Sequence, residues 1–167
     1  MNYFLKHART WYLLASVGCF AIIGFALYLQ YYRYMEPCPL CYLQRVIVIG
    51  LGAVLLFSGI QHPRKFGAKM YALLLSVLNG LGIALAWRHL WIQSLPPEEV
   101  PSCSTSMGYM LETMPFGDAI MKALQGSAEC AKKDYFLGLT LSVWTLLFFI
   151  AMLIFSWLIV CLAKEKA

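Results

Sequence analysis

Four long apolar runs, separated by short polar stretches, set the pattern of this chain. No Asp, Glu, Lys or Arg occurs from Thr10 to Tyr32, from Val46 to Pro63, from Met70 to Trp87, or from Tyr135 to Ala163. A helix needs roughly 20 mainly apolar residues to cross a hydrocarbon core of about 30 Å. Only helices or closed barrels satisfy their backbone in lipid, and these runs do not alternate as barrel strands do. The pattern predicts an all-α membrane protein, a four-transmembrane-helix bundle forming one integral membrane domain over residues 1–167. The spans fall at about 11–29, 43–60, 71–91 and 139–162.

Aromatic residues bracket the first span at Trp11, Tyr12, Tyr28, Tyr31 and Tyr32, as interfacial belts do. Pro37 and Pro39 break the chain before span two, and Pro63 and Gly67 before span three. Pro96, Pro97, Pro101 and Pro115 mark a second, longer outer loop of irregular character. Within it, Asp118 to Leu124 places Ile120, Met121 and Leu124 at helical spacing. A short interfacial helix lying on the membrane surface is expected there.

Composition reinforces the membrane assignment. Charged residues make up 13% of the chain, against about 25% in soluble domains, too few to cover a water-facing surface. Lys6, Arg9, Arg64, Lys65, Lys69, Lys164 and Lys166 all fall on one side of a four-span chain. By the positive-inside rule that side is the cytoplasm, so both termini are cytoplasmic and two extracytoplasmic loops lie opposite. The second of these carries most of the acidic residues. The net +5 therefore reflects topology. It does not indicate nucleic acid, because the basic residues form no stripe interleaved with aromatics. The first span is too long for a signal peptide and lacks a small-x-small site, and Ser16-Val17-Gly18-Cys19 is a poor lipoprotein box, so neither cleavage nor lipidation is expected.

Six cysteines are present. Cys19 and Cys161 lie inside spans, where a thiol behaves as a small apolar group. Cys38, Cys41, Cys103 and Cys130 belong to the outer loops, on the oxidising side where disulfides persist. One reading makes them two structural staples. The other makes them catalytic, and three features support it. Cys38-Pro39-Leu40-Cys41 can open a helix, with Pro39 in the first turn, placing Cys41 near the positive end of the helix dipole, which favours a thiolate. Arg45 follows Cys41 by four residues on the same face, and an arginine this close to hydrocarbon marks function. A CxxC loop also crosslinks too little chain to serve as a staple. A four-cysteine zinc site is not expected, because Cys103 and Cys130 lack CxxC-type spacing, and no resident metal is assigned.

Cys-Pro-Leu-Cys-Tyr-Leu-Gln-Arg at Cys38 to Arg45, the four-span layout, the cysteine pair in the second outer loop and Asp134-Tyr135-Phe136-Leu137-Gly138-Leu139 together resemble the DsbB family, bacterial inner-membrane proteins that generate disulfides with quinone. The resemblance covers nearly the whole chain. Arg88-His89 and Gln93 resemble the family's His-x-x-x-Gln near the quinone. Family members often carry proline before the tryptophan that opens span four. Here Ser142 precedes Val143-Trp144, and Ser142 is expected to cap that helix instead.

The resemblance implies a thiol:quinone oxidoreductase of the inner membrane. A DsbA-like periplasmic thioredoxin-fold partner would dock near Pro96 to Met107, and its nucleophilic thiolate would attack Cys103. Cys103 and Cys130 would pass the partner's electrons on through Cys38 and Cys41 to ubiquinone or menaquinone, held near Cys41, Arg45, His89 and Gln93. DsbA-type proteins have potentials of about −120 mV, so their reoxidation requires an acceptor above that value. Two alternatives stand beside this reading. One is a vitamin-K-epoxide-reductase-like oxidoreductase, whose CxxC lies late in the chain. The other is a non-enzymatic membrane adaptor with structural disulfides.

Overall fold

The computed structural model describes residues 8–32, 37–61, 65–96, 98–99, 107–133, 135–136 and 138–164. Among these, four helices are long and apolar enough to cross a membrane. They are α1 (Ala8–Tyr32), α2 (Pro39–Gln61), α3 (Lys65–Ser94) and α6 (Leu141–Lys164). Between α3 and α6 lie α4 (Met107–Thr113), α5 (Phe116–Gln125), a 3₁₀ turn at Ala128–Ala131, and a two-stranded antiparallel ribbon of β1 (Tyr135–Phe136) and β2 (Leu139–Thr140). The four-helix membrane bundle expected from the charge-free runs is therefore present.

The first three spanning helices run past their apolar windows at both ends. Span two starts at Pro39, so the CxxC does occupy a first helical turn, and Cys38 O accepts the amide of Tyr42 at 3.2 Å. The fourth span starts at Leu141, two residues later than the hydropathy pattern suggests, because Leu139 and Thr140 pair with Phe136 and Tyr135. Ser142 therefore lies inside α6 and does not cap it. The second loop is also more ordered than its proline content suggests: α4 was not foreseen, and the helix expected at Asp118–Leu124 spans Phe116–Gln125. In α5 the small residues Ala119 and Ala123 are buried, and the helix packs on α2, while Phe116 and Met121 point outward.

The bundle is apolar outside as well as inside. Val17 is 65% exposed, Leu73 57% and Ile154 55%, a surface suited to lipid chains and not to water. The interior instead holds Ser16, Asn79 and Ser156 among Leu51, Leu55, Leu75 and Phe149. Lipid is as apolar as leucine, so helix association in a membrane depends on close packing and internal hydrogen bonds. Ser16 Oγ donates to Gly52 O at 2.8 Å and ties α1 to α2. Cys19 is buried in this core, as expected, whereas Cys161 is on the exposed outer face of α6.

α1 packs chiefly on α2 and α3 chiefly on α6, with α2 joining α3. The α3–α6 contact depends on Gly82, where an added Cβ would fall 2.5 Å from the ring of the fully buried Phe149. Gly80, two residues away, has nothing within 4 Å of such a Cβ. Gly82→Ala should therefore lower stability by about 1–3 kcal/mol, the usual cost of overpacking. Gly80→Ala should be neutral or slightly stabilising, since it improves helix propensity. Thermal unfolding of the two variants in detergent measures the difference, and equal midpoints would show that Phe149 yields freely.

Candidate active site

The site forms where the CxxC end of α2, the last turns of α3, the 3₁₀ turn and the start of α6 converge. Each sulfur reaches it through a local device. Cys38 precedes Pro39 and ends 5% exposed, while Cys41, one turn on, is half-buried. Their sulfurs stand 2.9 Å apart as free thiols, and the Cys41 backbone N–H donates to Cys38 Sγ at 3.4 Å.

Cys130 comes from the other loop. Gly126 leaves α5 with φ +86, a conformation that L side chains rarely adopt, and any Cβ there would run into Ile92 of α3. The chain then turns through Ser127 into the 3₁₀ turn, with the Cys130 amide donating to Ser127 O at 2.9 Å. Gln93 Nε2 donates to Lys132 O at 3.1 Å and fastens the far side of the turn to α3. Cys130 is thereby fully buried with Cys38, Leu40 and Ile92, and its thiol lies 3.7 Å from Ser127 Oγ.

Packing with Cys38 governs ionisation. The Cys130 thiol is pushed up, first by its hydrogen bond to Cys38, then by burial and by the charge that Cys38 would carry. For Cys38 the Cys130 hydrogen bond pulls downward, but the hydrogen bond to Cys41, burial and the neighbouring Cys41 charge together outweigh it, and the net direction is upward. Clustered, buried sulfurs cannot all carry charge at once.

His89 stands over Cys38, with Nε2 3.8 Å from Cys38 Sγ and Nδ1 3.1 Å from Ser142 Oγ. The serine expected to cap a helix instead holds the histidine ring. Arg45 turns toward α1, where its guanidinium donates to Gln30 Oε1 at 2.6 Å and to Ala26 O at 3.3 Å. Gln30 in turn donates to Tyr42 OH at 3.3 Å. Arg45 is thus held by α1 in a fixed position, not merely extended toward headgroups.

Cys41, Arg45, His89 and Gln93 all border one cavity of about 860 Å³ between α1, α2 and α6. Its other walls include Ile22, Phe25, Leu29, Val48, Trp144 and Phe148. Gln44, also on its lining, is 4% exposed, and its amide nitrogen has no hydrogen-bond partner among the described residues. Sequence reading passed over Gln44 and gave Ser142 the wrong role, because both acquire meaning only from a neighbouring helix. A glutamine in an apolar run, immediately before Arg45, was the available signal. Cys103 and most of the Pro96–Met107 docking segment lie outside the described residues. The donor atoms of Cys38, Cys41 and His89 lie within 4.8 Å of one another, close enough for a metal ion.

Residues 8–159 match the family described as Disulfide bond formation protein DsbB. The chain is 41% identical over 153 residues to Disulfide bond formation protein B of Methylococcus capsulatus, covering 91% of this chain and 93% of the relative. It is 40% identical over 155 residues to the protein of that name from Chromobacterium violaceum, covering 90% and 92%. A similar match, 40% identical over 154 residues, is to Disulfide bond formation protein B 1 of Pseudomonas aeruginosa, covering 91% and 94%. With its CxxC opening the second span and a further cysteine folded onto it, the chain belongs to the DsbB family of disulfide-forming membrane oxidoreductases.

Proposed function

We propose that this protein is a thiol:quinone oxidoreductase of the bacterial inner membrane that reoxidises a periplasmic DsbA-like thiol oxidase. The observation that carries the reading is the joining of two features at one place. Cys130, from the second loop, is packed with Cys38 in one buried cluster. Cys41, on the other side of Cys38, borders a cavity that is polar at one end and apolar along the rest. A disulfide relay needs the first feature, and an amphiphilic ring with an isoprenoid tail suits the second.

The cavity chemistry fits ubiquinone or menaquinone. Arg45 and the orphaned Gln44 amide supply donors, which ring carbonyls accept, and Phe25, Trp144 and Phe148 supply aromatic and apolar walls. A bound quinone supplies a two-electron, two-proton acceptor. Cys41 offers its sulfur at the cavity edge. Arg45, fixed by Gln30, places positive charge beside the position where negative charge develops. His89, steadied by Ser142, can move a proton between Cys38 and the cavity.

On the protein side, the partner's thiolate attacks Cys103 and forms a mixed disulfide, releasing Cys130. Cys130 attacks Cys38 and frees Cys41. The partner's second thiolate then releases the partner from Cys103 as an oxidised disulfide. The Cys103 thiolate re-forms its bond to Cys130 and frees Cys38. Cys38 and Cys41, now a dithiol, close as a disulfide as two electrons and two protons pass to the acceptor that a bound quinone would supply. Exchange proceeds through a thiolate attacker brought up to the target sulfur, and the buried cluster that Cys130 shares with Cys38 brings the two together. The family membership and the early CxxC disfavour a vitamin-K-epoxide-reductase-like order of elements, and a pure adaptor would have no use for the cavity.

Three outcomes are expected. Arg45→Ala should lower kcat/KM for quinone at least about tenfold, equivalent to ~1.4 kcal/mol, while Cys103 still traps the partner; unchanged quinone kinetics in purified protein would remove Arg45 from the site. Cys130→Ser mixed with the oxidised partner should accumulate a Cys103–partner disulfide, formed by attack of the Cys103 thiolate on the partner's disulfide, and absence of that complex on non-reducing gels would reassign the entry cysteine. In the reduced protein, iodoacetamide labelling of Cys38 and Cys130 should have a pH midpoint above that of the same cysteines after denaturation. A raised pKa keeps each thiol protonated, and unreactive, until the pH exceeds the ordinary thiol value. Peptide mass spectrometry across pH reads the two midpoints, and coincident midpoints would contradict the coupled, buried thiols.

A further inference from the structure

We propose that the dithiol form of the protein is a binding site for a thiophilic divalent cation of the Zn²⁺ and Cd²⁺ class, held by Cys38 Sγ, Cys41 Sγ and His89 Nε2. The three donors lie within 4.8 Å of one another. Zinc takes sulfur at about 2.3 Å and imidazole nitrogen at about 2.0–2.1 Å, which sets the S···S and S···N separations of a tetrahedral site near ~3.5–3.8 Å. Cys38 Sγ and His89 Nε2 already stand 3.8 Å apart. The 2.9 Å between the two sulfurs must widen, a side-chain rotation at the half-buried Cys41, whose sulfur lies within 4.8 Å of His89 Nε2. This donor set differs from the four-cysteine arrangement that the sequence argued against.

The surroundings have the form of a supporting shell. Ser142 Oγ at 3.1 Å is placed to accept the Nδ1–H of His89, which leaves the lone pair of Nε2 facing the sulfurs. The Cys41 amide donates to Cys38 Sγ, as a backbone N–H does to a metal-bound thiolate. All three ligands border the same cavity, which provides an entry path and leaves a fourth coordination position open. Cys130, although packed in the same buried cluster as Cys38, does not fall within that radius of all three donors.

Binding exchanges two S–H protons for the ion, with the protons lost to solvent and no electrons moved. While the ion is held, Cys38 and Cys41 cannot close their disulfide, so occupation stalls the relay in its reduced state. The oxidised pair offers no thiolates and does not bind. The inference needs only the thiols and the imidazole, and does not depend on which oxidant accepts the electrons.

The test is anaerobic titration of the full-length protein in detergent with Cd²⁺, following the ultraviolet sulfur-to-cadmium charge-transfer absorption. Reduced protein should take up one equivalent at this site. The same preparation with the Cys38–Cys41 disulfide closed should lose that equivalent, a comparison that requires no variant to fold. Cys41→Ser should abolish it, and Ser142→Ala should weaken it about tenfold or more, as loss of an outer partner does. The proposal is overturned if the oxidised and reduced proteins bind alike, if Cys41→Ser binds as the wild type does, or if His89→Ala leaves the affinity unchanged. Because the readout is absorption, an inactive quinone site would not alter it.

Discussion

Everything in this fold follows from the need to satisfy the backbone inside lipid. Each crossing segment must carry its own hydrogen bonds, so the chain crosses as long helices and confines its irregular structure to the ends. That restriction places the CxxC on the first turn of α2 and brings the loop carrying Cys130 back over the same end of the bundle. Reactive sulfurs and an apolar cavity become neighbours because one lies where helices begin and the other lies between them.

Within the bundle the usual driving force is absent, since lipid covers apolar surface as well as protein does. Association depends on close approach, as at Gly82 beneath Phe149, and on internal hydrogen bonds such as Ser16 to Gly52. The same economy is visible at the site. Gln30 holds Arg45, Ser142 holds His89, and Gln93 holds the turn that bears Cys130. Each functional group is set by a polar partner on a different helix, so the site's geometry depends on the bundle's packing. Gly126 completes the arrangement, because no other residue could leave α5 at that angle against Ile92 without strain.

The clustering of three thiols and an imidazole has two chemical consequences. Sulfurs in contact can exchange disulfides without a large motion, which suits the proposed relay. The same sulfurs, when reduced, form a soft ligand set beside an open cavity. On the proposed relay, a site that passes electrons between sulfurs would also be open to such ions whenever its disulfide is open.

Much of this protein was determined by the linear chain. Four stretches without charge, each meeting or nearing the length that crosses a bilayer core, pointed to a helical membrane bundle, and a CxxC with Arg45 one turn below it pointed to the proposed chemistry. Those signals are local: they depend on spacing along one helix, which sequence displays directly. The tertiary structure alone decided that Cys130 lies on Cys38, that Ser142 supports His89 and does not cap α6, and that Gln44 is a buried donor on the cavity lining. Leu139 and Thr140 likewise left the span for a two-stranded ribbon. These outcomes join residues tens of positions apart, and their partners are fixed by how helices pack, a property that no window of sequence contains.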